Sequence, residues 1–136
     1  MKRPEDTRRE LADQWLEKAE SDYRLAEYLV RQNIFYEAVG FHCQQAAEKY
    51  LKALLVHYKV DFPKTHILGA LLDLVAEVDV DLAQKLSEIT ILNPYGVEAR
   101  YPGDQFGLTE KEARAALDLA TKARKAILNS LDDMLK

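Results

Sequence analysis

Tyr36-Glu37-Ala38-Val39-Gly40-Phe41-His42-Cys43-Gln44-Gln45-Ala46-Ala47-Glu48-Lys49-Tyr50-Leu51-Lys52-Ala53-Leu54-Leu55 is the stretch that decides the fold. Phe35, Val39, Cys43, Ala46, Ala47, Tyr50, Leu51, Ala53 and Leu54 recur at helical spacing, which predicts a helix over Ile34 to Tyr58. The opposite arc is mixed, with Phe41, Leu55 and Val56 among Gln44, Gln45, Glu48, Lys49 and Lys52. A helix with apolar residues on both sides is covered twice. It is therefore either central to a bundle or at an oligomer interface.

Working outward, the residues before it form another helix, about Glu10 to Gln32. Leu11, Ala12, Trp15, Leu16, Ala19, Tyr23, Ala26, Leu29 and Val30 make one stripe roughly 140° wide, with Glu17, Lys18, Glu20, Arg24 and Glu27 outside it. Residues 1–9 are expected to be flexible. After the break at Asp61-Phe62-Pro63-Lys64, Thr65 reads as the N-cap of a short helix, about His66 to Val78. Asp79 or Asp81 caps a fourth, with Gln84 in the capping-box place after Asp81. That helix should end near Leu92, because a residue before proline, here Asn93, disfavours helix. Val97 to Leu108 reads as a loop. Thr109 and Glu112 form a second capping box, opening a helix that runs to about Leu135. No segment alternates with period two. The expected fold is all-α: one domain over 1–136, an up-and-down bundle of four main helices plus a shorter fifth.

Composition narrows the function classes. The chain has 136 residues, 48% hydrophobic and 31% charged, a globular balance. Its net charge of −4 argues against a broad electrostatic grip on nucleic acid, while leaving room for a local basic cleft. The single Cys43 cannot form an internal disulfide, and no signal peptide or long apolar run is visible. A cytoplasmic protein with no membrane association is expected.

Three constellations have chemistry to offer. His42, Gln45, Lys49 and Lys52 are spaced 3, 4 and 3 apart, which puts them within about 80° on one helix face. Two cations, an amide and an imidazole in a row can hold phosphate or carboxylate oxygens. The plainer alternative is a solvated face with pairs such as Glu48–Lys52. Second, Arg100-Tyr101-Pro102-Gly103 sets an Arg fork and a ring on a shaped turn, suited to phosphate or base recognition or else to a structural turn. Third, the histidines His42, His57 and His66 lack metal-ligand spacing, so no metal or cofactor is expected. His66 reads as hydrogen-bonded within the fold or facing the loop region, and Cys43 as a buried small hydrophobe. Asp22 and Arg124 sit inside apolar stripes, so each needs a partner. An internal salt bridge, between the two of them as one option, is expected, or else one of them lines a cleft with the polar row.

These residues resemble a known family. The 36–55 segment is similar to the second-helix signature of HEPN domains (higher eukaryotes and prokaryotes nucleotide-binding). The Trp15, Ala19, Asp22 pattern, Pro63-Lys64-Thr65-His66 and Ala99-Arg100-Tyr101-Pro102 follow in family order. The resemblance implies a helical bundle that forms homodimers with the functional cleft near the twofold axis. It also implies a frequent partnership with a minimal nucleotidyltransferase in a toxin–antitoxin pair. Its catalytic branch cuts RNA without metal, using an Arg, four to six residues, then a His. Here the permitted positions after Arg100 are Gln105, Phe106 and Gly107, none of which transfers protons near neutral pH.

The leading expectation is thus a binding module for a nucleotide, RNA or a nucleotidyltransferase partner, with no self-sufficient catalytic set. Its ligand contacts would be His42, Gln45, Lys49, Lys52, His66, Arg100 and Tyr101. The alternatives are a metal-independent ribonuclease toxin using Arg100 with a histidine from elsewhere, and a structural tether that assembles through Phe41 and Leu55.

Overall fold

The computed structural model describes residues 2–96 and 107–134, and in them every regular element is helical. Helix α1 runs Pro4–Gln32 and starts about two turns before the expected Glu10. Pro4 fits the first turn, where its missing N–H costs nothing, and Glu5 and Asp6 favour the positive helix start. The helix stops at Asn33, whose left-handed φ of 56° lets its N–H reach the Val30 carbonyl while the Ile34 N–H reaches Leu29. Helix α2, Tyr36–His57, closes the same way: Lys59 takes φ 62°, and Lys59 and Val60 donate to Val56 and Leu55.

Helix α2 is the central one. It packs against α1, α3 (Leu68–Val78), the 3-10 helix Ser87–Gly96 and α5 (Glu110–Met134). Both of its apolar arcs are consumed inside one chain. Leu51, Leu54 and Leu55 are wholly buried, each worth about 1.5–3 kcal/mol of apolar burial. Leu55 is therefore no outward assembly residue, and Phe41 is half-buried, edge-on to the His42 ring.

The all-α bundle stands, with differences at the third and fourth helices. Thr65 does not cap α3 directly. Its Oγ1 accepts from the Ile67 N–H, and the Leu68 N–H is taken by Asn93 Oδ1 at 2.7 Å, a cap supplied from another element. Asp79 does cap α4 (Val80–Lys85), accepting from the Leu82 N–H at 3.1 Å. The expected helix to Leu92 breaks after Lys85 into the 3-10 helix, which continues past Asn93-Pro94 to Gly96. β-Branched Ile89, Thr90 and Ile91 weaken α-helix there, and Thr90 Oγ1 bonds back to the Ser87 carbonyl. Buried Ile89 and Leu92 fasten the segment to the core. The capping box of α5 is present in both directions: Glu112 N–H to Thr109 Oγ1, and Thr109 N–H to Glu112 Oε1, each 3.1 Å.

Candidate functional site

Helix α2 is tight on its inner sides and partly open along one strip, and that strip carries the polar row. Asp22, from α1, reaches across to it. His42 Nδ1 donates to Asp22 Oδ1 at 2.8 Å, and Lys49 Nζ donates to Asp22 Oδ2 at 2.6 Å. The three side chains are 13%, 24% and 20% exposed for Asp22, His42 and Lys49, so the cluster is sheltered but reachable. Burial alone would push the Asp22 carboxyl upward, but the bonds from His42 and Lys49 outweigh it and hold the group below the usual carboxylate range. A carboxylate only accepts, so the proton of this imidazole sits on Nδ1. In the neutral ring, Nε2 is then the nitrogen with a lone pair for a ligand or a proton.

A second polar chain lies beside it. Glu48 is nearly sealed, with 3% of its side chain exposed, and takes bonds from Lys52 Nζ (3.0 Å), Gln44 Nε2 (3.3 Å) and His66 Nδ1 (2.9 Å). His66 is 79% exposed, so its ring is surface-facing while one nitrogen is held by a buried carboxylate. Gln44 also donates to the His66 carbonyl, and Gln45 donates to Gln44 Oε1 at 2.7 Å, extending this second chain along α2. Gln44 and Glu48 belong to the mixed arc whose apolar members predict a second cover, and both are buried beneath it; the solvated face offered as the alternative is not what forms at these two positions.

The row differs from a plain cationic stripe. Lys49 is matched by Asp22. Lys52 is matched by Glu48 and buried, with its ammonium 5.1 Å from the Trp15 ring centroid and 5.9 Å from that of Phe62. A flexible stem lets Lys52 turn inward to these rings instead of toward a ligand. Both ammonium groups of the row are therefore matched by carboxylates.

Arg100 and Tyr101 lie outside the described residues, but the chain on either side of them does not. Gly96 packs on Gln44 so closely that a Cβ would sit 2.9 Å from the Gln44 Cδ. At Gly40 a Cβ would meet Leu108 Cδ2 at 2.8 Å and Tyr95 Cγ at 3.1 Å. Glycine at these two places lets both flanks of the segment rest on the first half of α2.

Asp22 and Arg124 each have an internal ion pair, but not with one another. Arg124 binds Glu20 through two nitrogens, at 2.6 and 3.1 Å, and Tyr50 also donates to Glu20. The reason is helical phase. Glu20 and Asp22 are about 160° apart around α1 and flank its buried stripe on opposite sides. Only Asp22 is on the side of the α2 row. Cys43 is wholly buried and its thiol is pushed up to about 12 by burial, so it is no nucleophile. Among the described residues, no three His, Cys, Asp or Glu side chains gather as metal ligands, and no helix is long and apolar enough to cross a membrane.

With this geometry in hand, three likenesses are informative. A candidate toxin of Methanocaldococcus jannaschii is 26% identical over 136 residues, spanning 90% of this chain and 86% of that protein. The crystal structure of an archaeal HEPN homologue shares the fold, with TM-score 0.65 at 24% identity over 96% of this chain and 98% of that one. The HEPN domain family model matches residues 12–131. With nearly the whole helical core inside that match, the chain belongs to the HEPN domain family.

Proposed function

We propose that this chain is the toxin-type half of a two-component pair. In this reading it binds a nucleotide or an RNA end on the open strip of α2, works as a homodimer across that strip, and has a minimal nucleotidyltransferase as partner. The observation that carries the reading is the anchored imidazole. With Nδ1 held on Asp22, His42 offers Nε2 on the same helix face as Gln45 and Lys49, in a cluster that is sheltered but not sealed. Family membership and the name of the Methanocaldococcus relative support the two-component setting. Arg100 supplies the guanidinium fork for phosphate and Tyr101 the ring for a base. Four residues reach at most about 14 Å from Gly96, itself packed on Gln44, which is enough to serve this strip. His66 contacts ligand from the exposed side, and Lys52 supports through Glu48.

Calorimetry at low salt with a ribonucleotide and a short oligoribonucleotide tests this. Binding is expected, with Arg100→Ala and His42→Ala each weakening it about tenfold or more. Absence of binding to both ligands and to the partner would end the reading.

One observation favours a second reading, the metal-independent ribonuclease. An imidazole oriented by a carboxylate is the arrangement of a general base, and it stands here at Asp22–His42 and again at Glu48–His66. Induced expression separates the two. Growth arrest with cleaved RNA, lost in His42→Ala or His66→Ala, marks the enzyme; a harmless, well-expressed protein marks the binding module.

A further inference from the structure

Charge is unevenly placed along this chain. Residues 67–96 hold Asp73, Glu77, Asp79, Asp81 and Glu88 against Lys85 alone. Five acids and one base give −4, the net charge of the whole protein, so the remainder is balanced. Asp79 is occupied in capping α4. Asp73, Glu77, Asp81 and Glu88 are exposed, and none of them makes an ion pair among the described residues. Elsewhere the exposed acids are mixed with bases: Glu10 pairs with Lys2, Glu27 with Arg31 and Glu110 with Arg114, while Glu5, Asp13, Glu17, Asp61 and Asp118 make no ion pair among the described residues, so it is the local excess over bases that sets 67–96 apart.

The same region is open and apolar. Between α3 on one side and α4 with the 3-10 helix on the other lies a trough of about 400 Å³. Its floor is made of short side chains, Gly69, Ala76 and Ala83, with Leu72 and Val80 beside them and Asp73 at the rim. Val80 is 55% exposed and lines the trough. Small residues on a helix pair leave room for the side chains of another helix, and an exposed branched residue beside them adds apolar surface for it to cover.

We propose that the α3–α4 trough is a docking surface for a basic amphipathic helix of a partner protein. The apolar side chains of that helix fill the trough, and its Lys and Arg residues face Asp73, Glu77, Asp81 and Glu88. Asp73 at the rim, with Glu77, Asp81 and Glu88 on the elements that wall the floor, selects this occupant by charge and shape together, and these acids repel nucleic acid and anionic membrane alike. The surface is made by other elements than the α2 strip and stands whether or not that strip binds a nucleotide.

The experiment uses the full chain and a fluorescein-labelled synthetic amphipathic peptide of Leu, Ala and Lys, read by fluorescence polarisation. A second peptide carries Glu in place of Lys. The lysine peptide binds at low ionic strength and the glutamate peptide does not. Asp73→Lys weakens binding about tenfold through charge. Ala76→Phe fills the trough without touching charge and weakens it by a similar factor. Gln84→Trp, an uncharged bulky change at an exposed lining position, does the same should Ala76→Phe lose its helical circular dichroism. Glu17→Gln, an exposed acid on α1, leaves affinity unchanged. The proposal is overturned if the lysine peptide fails to bind at low salt. It is equally overturned if the trough-filling variant binds as wild type, since the attraction is then diffuse charge with no site.

Discussion

Glu20 and Asp22 stand two residues apart on α1, and each accepts hydrogen bonds from two side chains beyond its own helix. Glu20 holds Arg124 from α5 and Tyr50 from α2; Asp22 holds His42 and Lys49, both from α2. The partners make the difference. The bond to Glu20 pushes the Arg124 guanidinium upward, burial and then Glu20 push the Tyr50 hydroxyl upward, and neither changes charge in any physiological range. Arg124 also lies over the Tyr23 ring, 5.2 Å from its centroid. This is a permanent brace across α1, α2 and α5. Asp22 instead holds a side chain that can gain or lose a proton, and it does so on the open strip. Equal-looking carboxylates thus divide into one that holds the bundle and one that presents a ring.

The largest expected effect breaks the brace. Arg124→Ala leaves Glu20 with Tyr50 and a long contact to the exposed Arg24, and should cost about 2 kcal/mol, reduced from the value for a sealed pair because both groups keep some solvent contact. Urea unfolding reads it as a lower midpoint. The pH dependence follows from the two carboxylates. Burial pushes each upward, and the hydrogen bonds more than offset that, so both titrate lower when folded than unfolded. The folded state then binds fewer protons than the unfolded state as pH falls through the ordinary carboxylate range of about 4. The stabilisation is present above that range and is lost on acidification toward the folded values. Glu20→Gln and Asp22→Asn should each flatten the acid limb of a stability–pH curve. An unchanged limb in both would show that these pairings do not hold in solution.

Much of this could be read in advance, and the part that could not has a common cause. Apolar residues on both arcs of 36–55 announced a central helix, and Thr109 with Glu112 announced a helix start. Those signals lie within a few residues of one another, so spacing alone encodes them. Glu20 looked like a solvent residue because periodicity tells which stripe of α1 is buried, not which flank meets an arginine 104 positions away. Glu48 and Lys52 were recognisable as an i,i+4 pair, but their burial depends on Trp15 and Phe62 arriving from two other segments. The break after Lys85 was hidden for a similar reason. Asn93 serves α3 by capping Leu68, a role with no local signature.

A smaller effect on stability and a larger one on function is expected at the open carboxylate. Asp22→Asn keeps the shape and removes the charge, at a cost of about 1 kcal/mol, since Lys49 and His42 retain access to water. Its signature should appear in binding. The charged anchor that orients the His42 ring is lost, so nucleotide affinity falls, while Arg124→Ala, assayed below its melting temperature, leaves the affinity in place. Should both variants weaken binding alike, the division between brace and presenting group is wrong.

The smallest effect lies between the two carboxylates, at Tyr23 on the buried stripe. Its hydroxyl is 2.8 Å from Thr121 Oγ1, a further tie from α1 to α5. Thr121 Oγ1 also donates to the Leu117 carbonyl at 2.8 Å, so removing the tyrosine oxygen strands no buried donor. In that arrangement the Tyr23 hydroxyl is the donor to Thr121, and Tyr23→Phe loses one neutral hydrogen bond while keeping the ring beneath Arg124. The expected cost is about 0.5 kcal/mol, well under that of Arg124→Ala. A loss as large as the arginine's would mean that the α1–α5 contacts act as one cooperative unit, with the hydroxyl setting the arginine's position over the ring. Combining Tyr23→Phe with Arg124→Ala decides the point: additive costs keep the charge pair as the brace, and a strongly sub-additive double variant assigns that role to the whole polar seam.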